Sequence, residues 1–305
     1  MGDNIFKESQ KHKEKFFESI RENGTFIPFI GAGVSASLGI QDWSGLINHV
    51  ADELGFNEKI FSELGDYLAL AEYCELNEKM DIVLAWMRKE WSDEKFKKKI
   101  GESEIYNALV SFNCKRIYTT NFDGFIETAY NQKKQESAVS VVSIDDFTKK
   151  ENRGKTQVIK LHGDLEDAHL VFSESSYYDR LMNPSALDFK LQSDMLDKTF
   201  LFLGYSVSDI NIRRIIYMLD NLWKGKSNRP DSYIFLPKPN IVFSRILEQR
   251  NIHTILGEMP LTNDLKHVDH KIDKDNRKGK DYRTIMIEIF LNDIQKEIQS
   301  VMTSK

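Results

Sequence analysis

The sequence is poor in cysteine, glycine and proline, and it has no long apolar run. Its 305 residues include 2 Cys, 16 Gly and 6 Pro with 41% hydrophobic residues, which excludes a disulfide scaffold, collagen and disorder. Cys74 and Cys114 supply no pair of Cys-x-x-Cys motifs for a structural zinc and suit a reducing cytosol. No uncharged stretch approaches the ~18 residues of a membrane span, and the N-terminus lacks the apolar core of a signal peptide. We therefore expect a cytoplasmic protein that does not bind membranes.

The charges are numerous but nearly balanced. There are 42 Lys and Arg against 47 Asp and Glu, which gives a net charge of −5. Such a balance creates no overall field that attracts phosphates, and this argues against a dedicated DNA-binding protein. The lysines at positions 95, 97, 98 and 99 fit a solvated helix face, so any contact with nucleic acid is expected to be indirect.

The apolar pattern divides the chain into three parts. Residues 1–24 predict an N-terminal helix, residues 25–260 a main domain, and residues 261–305 a charged linker with an amphipathic helix. Within the main domain, apolar residues at three- and four-residue spacing between about 45 and 112 predict a helical insertion. We expect apolar packing in all of these parts except the charged linker.

Short apolar runs in the main domain are typical of buried strands. They cover residues 25–30, 116–119, 138–142, 157–161, 170–172, 200–203 and 233–236. Helical stretches such as residues 208–223 separate several of them. Alternating strands and helices predict an α/β fold, a doubly wound Rossmann-like parallel sheet with the helical insertion and terminal helices. Ligands of such sheets bind at the carboxyl ends of the strands.

The last predicted helix has an apolar stripe with two open interpretations. Its members are Ile287, Leu291, Ile294, Ile298 and Val301. The helix either packs on its own sheet domain, or it joins the N-terminal helix in building a homo-oligomer or docking a partner. In the preceding linker, His267 and His270 have a His-x-x-His spacing without other obvious ligands, so we do not expect a metal site there.

A glycine-containing motif follows the first predicted strand. Residues 31–36 read Gly-Ala-Gly-Val-Ser-Ala and fit the pattern G-x-G-x-x-[G/A], in which backbone N–H groups approach a pyrophosphate. An ordinary glycine turn between strand and helix fits as well. A dinucleotide dehydrogenase also needs an acidic residue ~20 residues further on, at the end of a second strand. Because Asp52 and Glu53 fall in a helical pattern, a standard hydride-transfer enzyme is disfavoured.

Three further polar motifs follow predicted strands. They cover residues 119–123, 160–164 and 203–209 and include Asn121, His162 and Asp209. Helix capping explains Asn, Asp and Ser at such positions when each motif is taken alone. Together they favour a site, because an imidazole and a carboxamide can move a proton and orient a water. We expect Asn121 and His162 to lie at an exposed rim of the sheet.

These four motifs, with Gly39 and Ile40, resemble in order and spacing those of the sirtuin family, whose members cleave the nicotinamide–ribose bond of NAD. The resemblance covers about residues 26–257. It implies that Asn121 is catalytic and lines the nicotinamide side, and that His162 is the general base. The residues that it implies for NAD binding are Gly31, Ala32, Gly33, Ser35, Asp42, Thr120, Asp123, Gly204, Ser206 and Asp209.

The chain departs from sirtuin deacylases in informative ways. No cysteine follows His162, so their four-cysteine zinc module is missing; Thr120 replaces the Gln before the catalytic Asn, and residues 41–44 replace their Pro-Asp-Phe-Arg. The chain therefore resembles the zinc-free sirtuin-like proteins of bacterial anti-phage defence, most closely the form that works with a HerA-type ATPase. The resemblance implies NAD as substrate, no zinc, a homo-oligomer and that ATPase or translocase as partner. An NAD-dependent protein deacylase and a non-catalytic NAD or ADP-ribose sensor remain the alternatives.

Overall fold

A parallel sheet forms the centre of the computed structural model, which describes residues 2–40, 43–57, 63, 66–133, 137–166, 170–207, 209–226, 229–257 and 281–303. Its strands are β1 (Ile27–Ile30), β2 (Arg116–Thr119), β3 (Ala138–Val141), β4 (Thr156–Lys160), β5 (Phe200–Leu203), β6 (Ser232–Leu236) and β7 (Ile252–Leu256). Their order is β3-β4-β2-β1-β5-β6-β7, and each neighbouring pair is parallel. The predicted α/β, Rossmann-like fold class is confirmed.

Helices connect these strands and flank the sheet. They are α1 (Gly2–Asn23), α2 (Ala32–Ala36), α3 (Trp43–Glu53), α4 (Tyr67–Leu76), α5 (Met80–Glu90), α6 (Asp93–Glu102), α7 (Glu104–Ser111), α8 (Phe125–Lys133), α9 (Ile144–Thr148), α10 (Glu174–Met182), α11 (Ala186–Asp197), α12 (Ile210–Trp223), α13 (Ile241–Glu248) and α14 (Tyr282–Thr303). Helices α3 to α7 lie within the predicted helical insertion. Among the described residues, no helix is both long enough and apolar enough to cross a membrane.

The sheet is covered by apolar residues on both faces. Along β5, Phe200 and Phe202 join one core with α11 and α12, whereas Leu201 and Leu203 join a second core with α1, α7 and α14. This division follows from the two-residue period of a strand, and burial on both faces explains the continuous apolar run. The doubly wound arrangement places the strand ends at one edge of the sheet.

One strand prediction was wrong, and one strand was not predicted. Residues 170–172 are not a strand; Phe172 packs with the helical insertion, in a third core that contains Phe122 and Met87. The run is apolar because it is buried under helices, and its backbone does not pair with a strand of the sheet. Conversely, the sequence analysis missed β7, where His253 and Thr254 interrupt the apolar run.

Helix α14 packs on its own chain. Ile287, Leu291 and Ile294 are buried, and the ring of Phe290 stacks on Phe235 of β6 with centroids 4.4 Å apart. Lys13 of α1 pairs with Asp293 of α14 at 2.8 Å, and Arg21 of α1 also pairs with this helix. The packing interpretation therefore holds for these positions, and these buried side chains are not available to an assembly. His267 and His270 lie outside the described residues.

Candidate active site

The loops that follow β1, β2, β4 and β5 line one cavity of about 670 Å³. This volume lies in the range of small-molecule pockets, roughly 300–1,000 Å³. Among the predicted site residues, those in its wall are Ala32, Gly33, Ser35, Thr120, Asn121, Asp123, His162, Gly204, Ser206 and Asp209. Gly31 lies at the start of the turn, outside the described wall, and Asp42 lies outside the described residues. The polar motifs thus meet, as the parallel topology requires.

The glycines of this site let two loops touch. The Gly33 N–H donates to the Gly204 carbonyl at 2.9 Å, and the Gly31 N–H donates to the Leu203 carbonyl at 2.9 Å. A Cβ on Gly31 would lie 2.5 Å from the Gly204 oxygen, and Gly204 has a positive φ of +60°. Side chains at these positions would push the loops apart, so the glycines hold the β1 and β5 loops together as well as leaving backbone exposed to the cavity.

A hydrogen-bond chain orients the Asn121 carboxamide. Ser35 Oγ donates to Asp123 Oδ2 at 2.8 Å, so its oxygen accepts from Asn121 Nδ2, at 3.1 Å. Tyr106 OH lies 3.3 Å from the same Ser35 oxygen. Behind the loop, the Asn121 N–H donates to Thr119 Oγ1 at 2.9 Å. Because Nδ2 is committed to Ser35, the carboxamide presents its oxygen as an acceptor, and this oxygen has no partner among the described residues.

A buried lysine fixes the backbone of the same loop. Lys160 Nζ donates to the carbonyls of Phe122 at 3.3 Å and of Asp123 at 2.8 Å, and it lies 3.5 Å from Glu127 Oε1. Burial lowers the pKa of Lys160, but the carboxylates of Glu127 and Asp123 outweigh it, and the pKa is raised. The ammonium therefore stays charged and holds the turn that carries Asn121. In the sequence, Lys160 is only the first residue of the motif at residues 160–164, and nothing there predicts this role.

Asp123 is buried at the end of this chain. Burial raises its pKa from 3.8 to about 6, against the opposing effects of Lys160, of the Ser35 hydroxyl and of the Phe125 N–H. At neutral pH the carboxylate is ionised and can accept the Ser35 proton. Protonation near pH 6 would weaken that acceptor, so we expect the orientation of Asn121 to depend on pH.

His162 is buried, and its expected position at an exposed rim was wrong. Its side chain is 4% exposed, and Asn121 is 8% exposed as a residue. Burial lowers the pKa of His162 from 6.5 to about 4, although Asp209 opposes the shift. The imidazole is therefore neutral at physiological pH and able to accept a proton. Both residues lie in the wall of the cavity, where the helical insertion and α10 cover the strand ends.

Tyr177 is the site residue that sequence analysis missed. Its hydroxyl donates to Asp209 Oδ2 at 3.0 Å and lies 3.5 Å from His162 Nδ1. Helix α10 carries Tyr177 into the cavity, and Ser175 of this helix donates its N–H and hydroxyl to Glu72 of α4. A tyrosine in a helix has no local signature, so only the tertiary structure reveals its place.

One possible metal-ligand group lies away from this cavity. Among the described residues, His12, Glu248 and His253 bring one ligand atom each within 4.8 Å of one another. They lie on α1, α13 and β7 and are paired with one another: His253 Nδ1 is 2.9 Å from Glu248 and His12 Nδ1 is 3.5 Å from it. Cys114 is a buried free thiol, and burial raises its pKa to about 12.

Comparison with known proteins finds similarity to one domain family and to NAD(+) hydrolases. Residues 115–255 match the family described as SIR2-like domain. The chain is 31% identical over 233 residues to the NAD(+) hydrolase ThsA of Enterococcus faecium, covering 74% of this chain and 45% of that protein. It is 27% identical over 264 residues to the NAD(+) hydrolase ThsA of Bacillus cereus, covering 79% and 52%. Over residues 115–255, the chain is therefore similar to the SIR2-like domain.

A third relative is named as a sirtuin. The "Defense-associated sirtuin 2" of Bacillus subtilis is 24% identical over 213 residues, which cover 68% of this chain and 20% of that protein. The chain spans about half the length of the two ThsA relatives, at 45% and 52%, and a fifth of this one.

Proposed function

We propose that this protein hydrolyses NAD to nicotinamide and ADP-ribose. One observation carries the proposal: Asn121 and His162 line the same cavity, next to a glycine turn that leaves backbone exposed. The similarity to two NAD(+) hydrolases and to a defence-associated sirtuin supports this substrate. No contact of the described residues favours a protein deacylase or a non-catalytic sensor over hydrolysis.

In the proposed binding mode, NAD lies across the ends of β1 and β5. The turn of residues 31–36 and the loop at Gly204 and Ser206 receive the pyrophosphate and the adenosine half. The loop of residues 120–123 faces the nicotinamide ribose, with Thr120 and Asp123 beside Asn121. Asp42 is proposed to belong to the same site on the sirtuin resemblance alone. No zinc is invoked in this binding mode.

The proposed reaction is a displacement at the anomeric carbon of the nicotinamide ribose. The carbon–nitrogen bond breaks, nicotinamide leaves with the bonding pair, and the ribose becomes oxocarbenium-like. A water bonded to the free Asn121 oxygen attacks this carbon. His162 accepts the proton of that water, directly or through the ribose hydroxyls. A neutral imidazole with a low pKa is a weak base, and it suffices here because an oxocarbenium-like carbon is a strong electrophile.

The biological setting is proposed from similarity. The relatives support a role in anti-phage defence, where loss of NAD would harm the infected cell. A homo-oligomer and a HerA-type ATPase as activating partner are carried over from the resemblance stated above. Because Ile287, Leu291 and Ile294 are buried in the chain's own core, such contacts would have to use other surfaces.

Chromatography of NAD and its products tests the proposal. The full chain, alone and with a HerA-type ATPase, should release nicotinamide and ADP-ribose in equal amounts. Asn121→Ala and His162→Ala should each lower the rate by about 10²–10⁴, the usual contribution of positioned acid–base groups. Asn240→Ala removes a carboxamide that caps α13 and lies outside the cavity wall, and it should leave the rate unchanged.

Controls separate chemistry from folding. Circular dichroism should show an intact fold, and His162→Gln keeps most of the buried volume while removing the base. Near wild-type turnover in Asn121→Ala or His162→Gln would refute the assigned roles. If the wild-type chain releases no nicotinamide in either condition, the hydrolase proposal is wrong.

A further inference from the structure

Asp209 lies against His162 and has a complete set of donors around it. Its Oδ1 accepts the Ile212 N–H at 3.0 Å as the N-cap of α12, and its Oδ2 accepts the Tyr177 hydroxyl at 3.0 Å. The same Oδ2 lies 3.2 Å from His162 Nε2. The carboxylate therefore joins three elements: β4 through His162, α10 through Tyr177, and α12 through its first turn.

The protons of this cluster can be assigned by counting donors. Tyr177 has one hydroxyl proton, and it is given to Asp209 at 3.0 Å, whereas His162 Nδ1 lies farther away at 3.5 Å. Burial and the nearby Asp209 raise the pKa of Tyr177, so the hydroxyl keeps its proton. Because the Tyr177 proton is given to Asp209, the Tyr177 oxygen can only accept from His162 Nδ1, at 3.5 Å, whereas Asp209 Oδ2 is the acceptor beside Nε2, at 3.2 Å. A neutral imidazole has one ring N–H proton, and the nearer, charged acceptor favours its place on Nε2.

The remaining charged groups near His162 do not change this assignment. Arg180 lowers and Asp188 raises the pKa of His162, and the two are paired with each other at 2.8 Å. Their effects oppose one another, which leaves Asp209 as the charge that acts on the ring at short range. His162 Nε2 is buried and not yet aligned for a hydrogen bond with it. Such bonds often tighten when substrate binds.

We propose that Asp209 and Tyr177 are positioning residues that hold His162 as the Nε2–H tautomer and leave Nδ1 as the proton acceptor. The inference rests on the proposed function for its kinetic consequence, but the tautomer is a property of the protein alone. A carboxylate on one ring nitrogen fixes the tautomer and the ring orientation, as it does in metal sites and catalytic triads. Asp209 thus acts through His162 and need not touch NAD.

Asp209→Asn is the decisive variant. Asn caps helices about as well as Asp, so α12 should keep its start, while the charge beside His162 is removed. We expect kcat for NAD loss to fall by about 10²–10⁴ with KM changed less than threefold, because the acceptor is misoriented and less basic. Tyr177→Phe removes the hydroxyl that donates to Asp209 and lies beside His162 Nδ1 but keeps the carboxylate, and it should lower kcat by less, about 10-fold.

A matched control isolates the contact with His162. Asp281 caps α14, where it accepts the Thr284 N–H at 2.9 Å, and it lies outside the cavity wall. Asp281→Asn makes the same chemical change at a helix start, and its kcat should equal that of the wild type. Equal kcat and KM in Asp209→Asn and the wild type would overturn the proposal.

Nitrogen-15 NMR of imidazole-labelled protein gives the readout that does not depend on turnover. At pH 7, the wild-type His162 should show a protonated Nε2 and an unprotonated Nδ1, and Asp209→Asn should alter that pattern. A protonated Nδ1 in the wild type would overturn the inference whatever the activity. If the wild type shows the Nε2–H form but hydrolyses no NAD, the proposed function fails while the positioning assignment stands.

Discussion

His253 lies between two carboxylates at the edge of the sheet, and its protonation should make stability depend on pH. Its Nδ1 is 2.9 Å from Glu248 and its Nε2 is 3.2 Å from Asp231, with its side chain 15% exposed. Burial lowers the pKa of His253, but hydrogen bonds and charge interactions with Asp231 and Glu248 outweigh it and raise the pKa to about 9. The imidazolium therefore joins β7 to α13 at neutral pH.

The size and direction of the effect follow from the two pKa values. A rise from 6.5 in the unfolded chain to about 9 corresponds to about 3 kcal/mol of unfolding free energy. Because the folded state holds the proton more tightly, this stability is fully present below pH 6.5. It is lost as the pH rises from 6.5 through about 9. Glu248 and Asp231 have lowered pKa values and stay ionised over this range.

Urea unfolding at intervals between pH 6 and pH 9.5 measures the effect. The wild-type free energy of unfolding should fall by about 3 kcal/mol more than that of His253→Gln across this range. Cys74 and Cys114, whose pKa values are raised by burial to about 11 and 12, also titrate on unfolding, but their contribution cancels in the comparison.

His12→Gln is the matched control, because it changes the neighbouring imidazole, 4.8 Å away between ring centroids, and leaves the Asp231–His253–Glu248 contacts in place. It should keep most of the wild-type pH dependence. The same decline in wild type and His253→Gln would refute the reasoning.

Two further predictions concern the site. NAD turnover should fall as the pH drops through about 6, because protonated Asp123 is a weaker acceptor for the Ser35 hydroxyl that orients Asn121. A rate that is flat from pH 7 to pH 5 would contradict this. Gly204→Ala should lower the unfolding free energy by about 2 kcal/mol or more, since its Cβ would lie 2.5 Å from Val34 N. Gly154 has a φ of +81° and open space around it, so Gly154→Ala should lower the unfolding free energy by only about 1 kcal/mol. Thermal melts of both variants measure the two losses, and equal losses would contradict the clash at Gly204.

Continuous apolar runs made most of the fold predictable. Strands β2 and β5 have the predicted bounds, and all four residues of β5 are apolar because both faces of the sheet are buried there. Residues 170–172 have the same composition, but they are buried by helices of the insertion, and composition does not distinguish these environments. His253 and Thr254 hid β7, because these two polar residues interrupt its apolar run. In the fold, His253 forms ion pairs with Asp231 and Glu248, and His12 of α1 lies 3.0 Å from the Thr254 carbonyl oxygen.

The candidate site was partly predictable for a related reason. Parallel strands bring their carboxyl ends to one edge, so motifs after β1, β2, β4 and β5 had to meet. The burial of His162 could not be predicted, because the cover comes from α10 and from the insertion, which are distant in sequence. Tyr177 and Lys160 act through contacts that local sequence does not encode. Their roles depend on the exact packing of α10 and β4.

The pairing of α1 with α14 also determines when the fold can be completed during synthesis. Phe16 of α1 lies 6.4 Å, between ring centroids, from Phe290, and Lys13 pairs with a residue 280 positions later. At translation rates of about 5–20 residues per second, roughly 15–60 s separate the appearance of the two helices at the ribosome. During that interval the apolar face of α1 lacks its final cover. The nascent chain therefore depends on chaperones or on slow, late docking of α14 more than a domain with local contacts would.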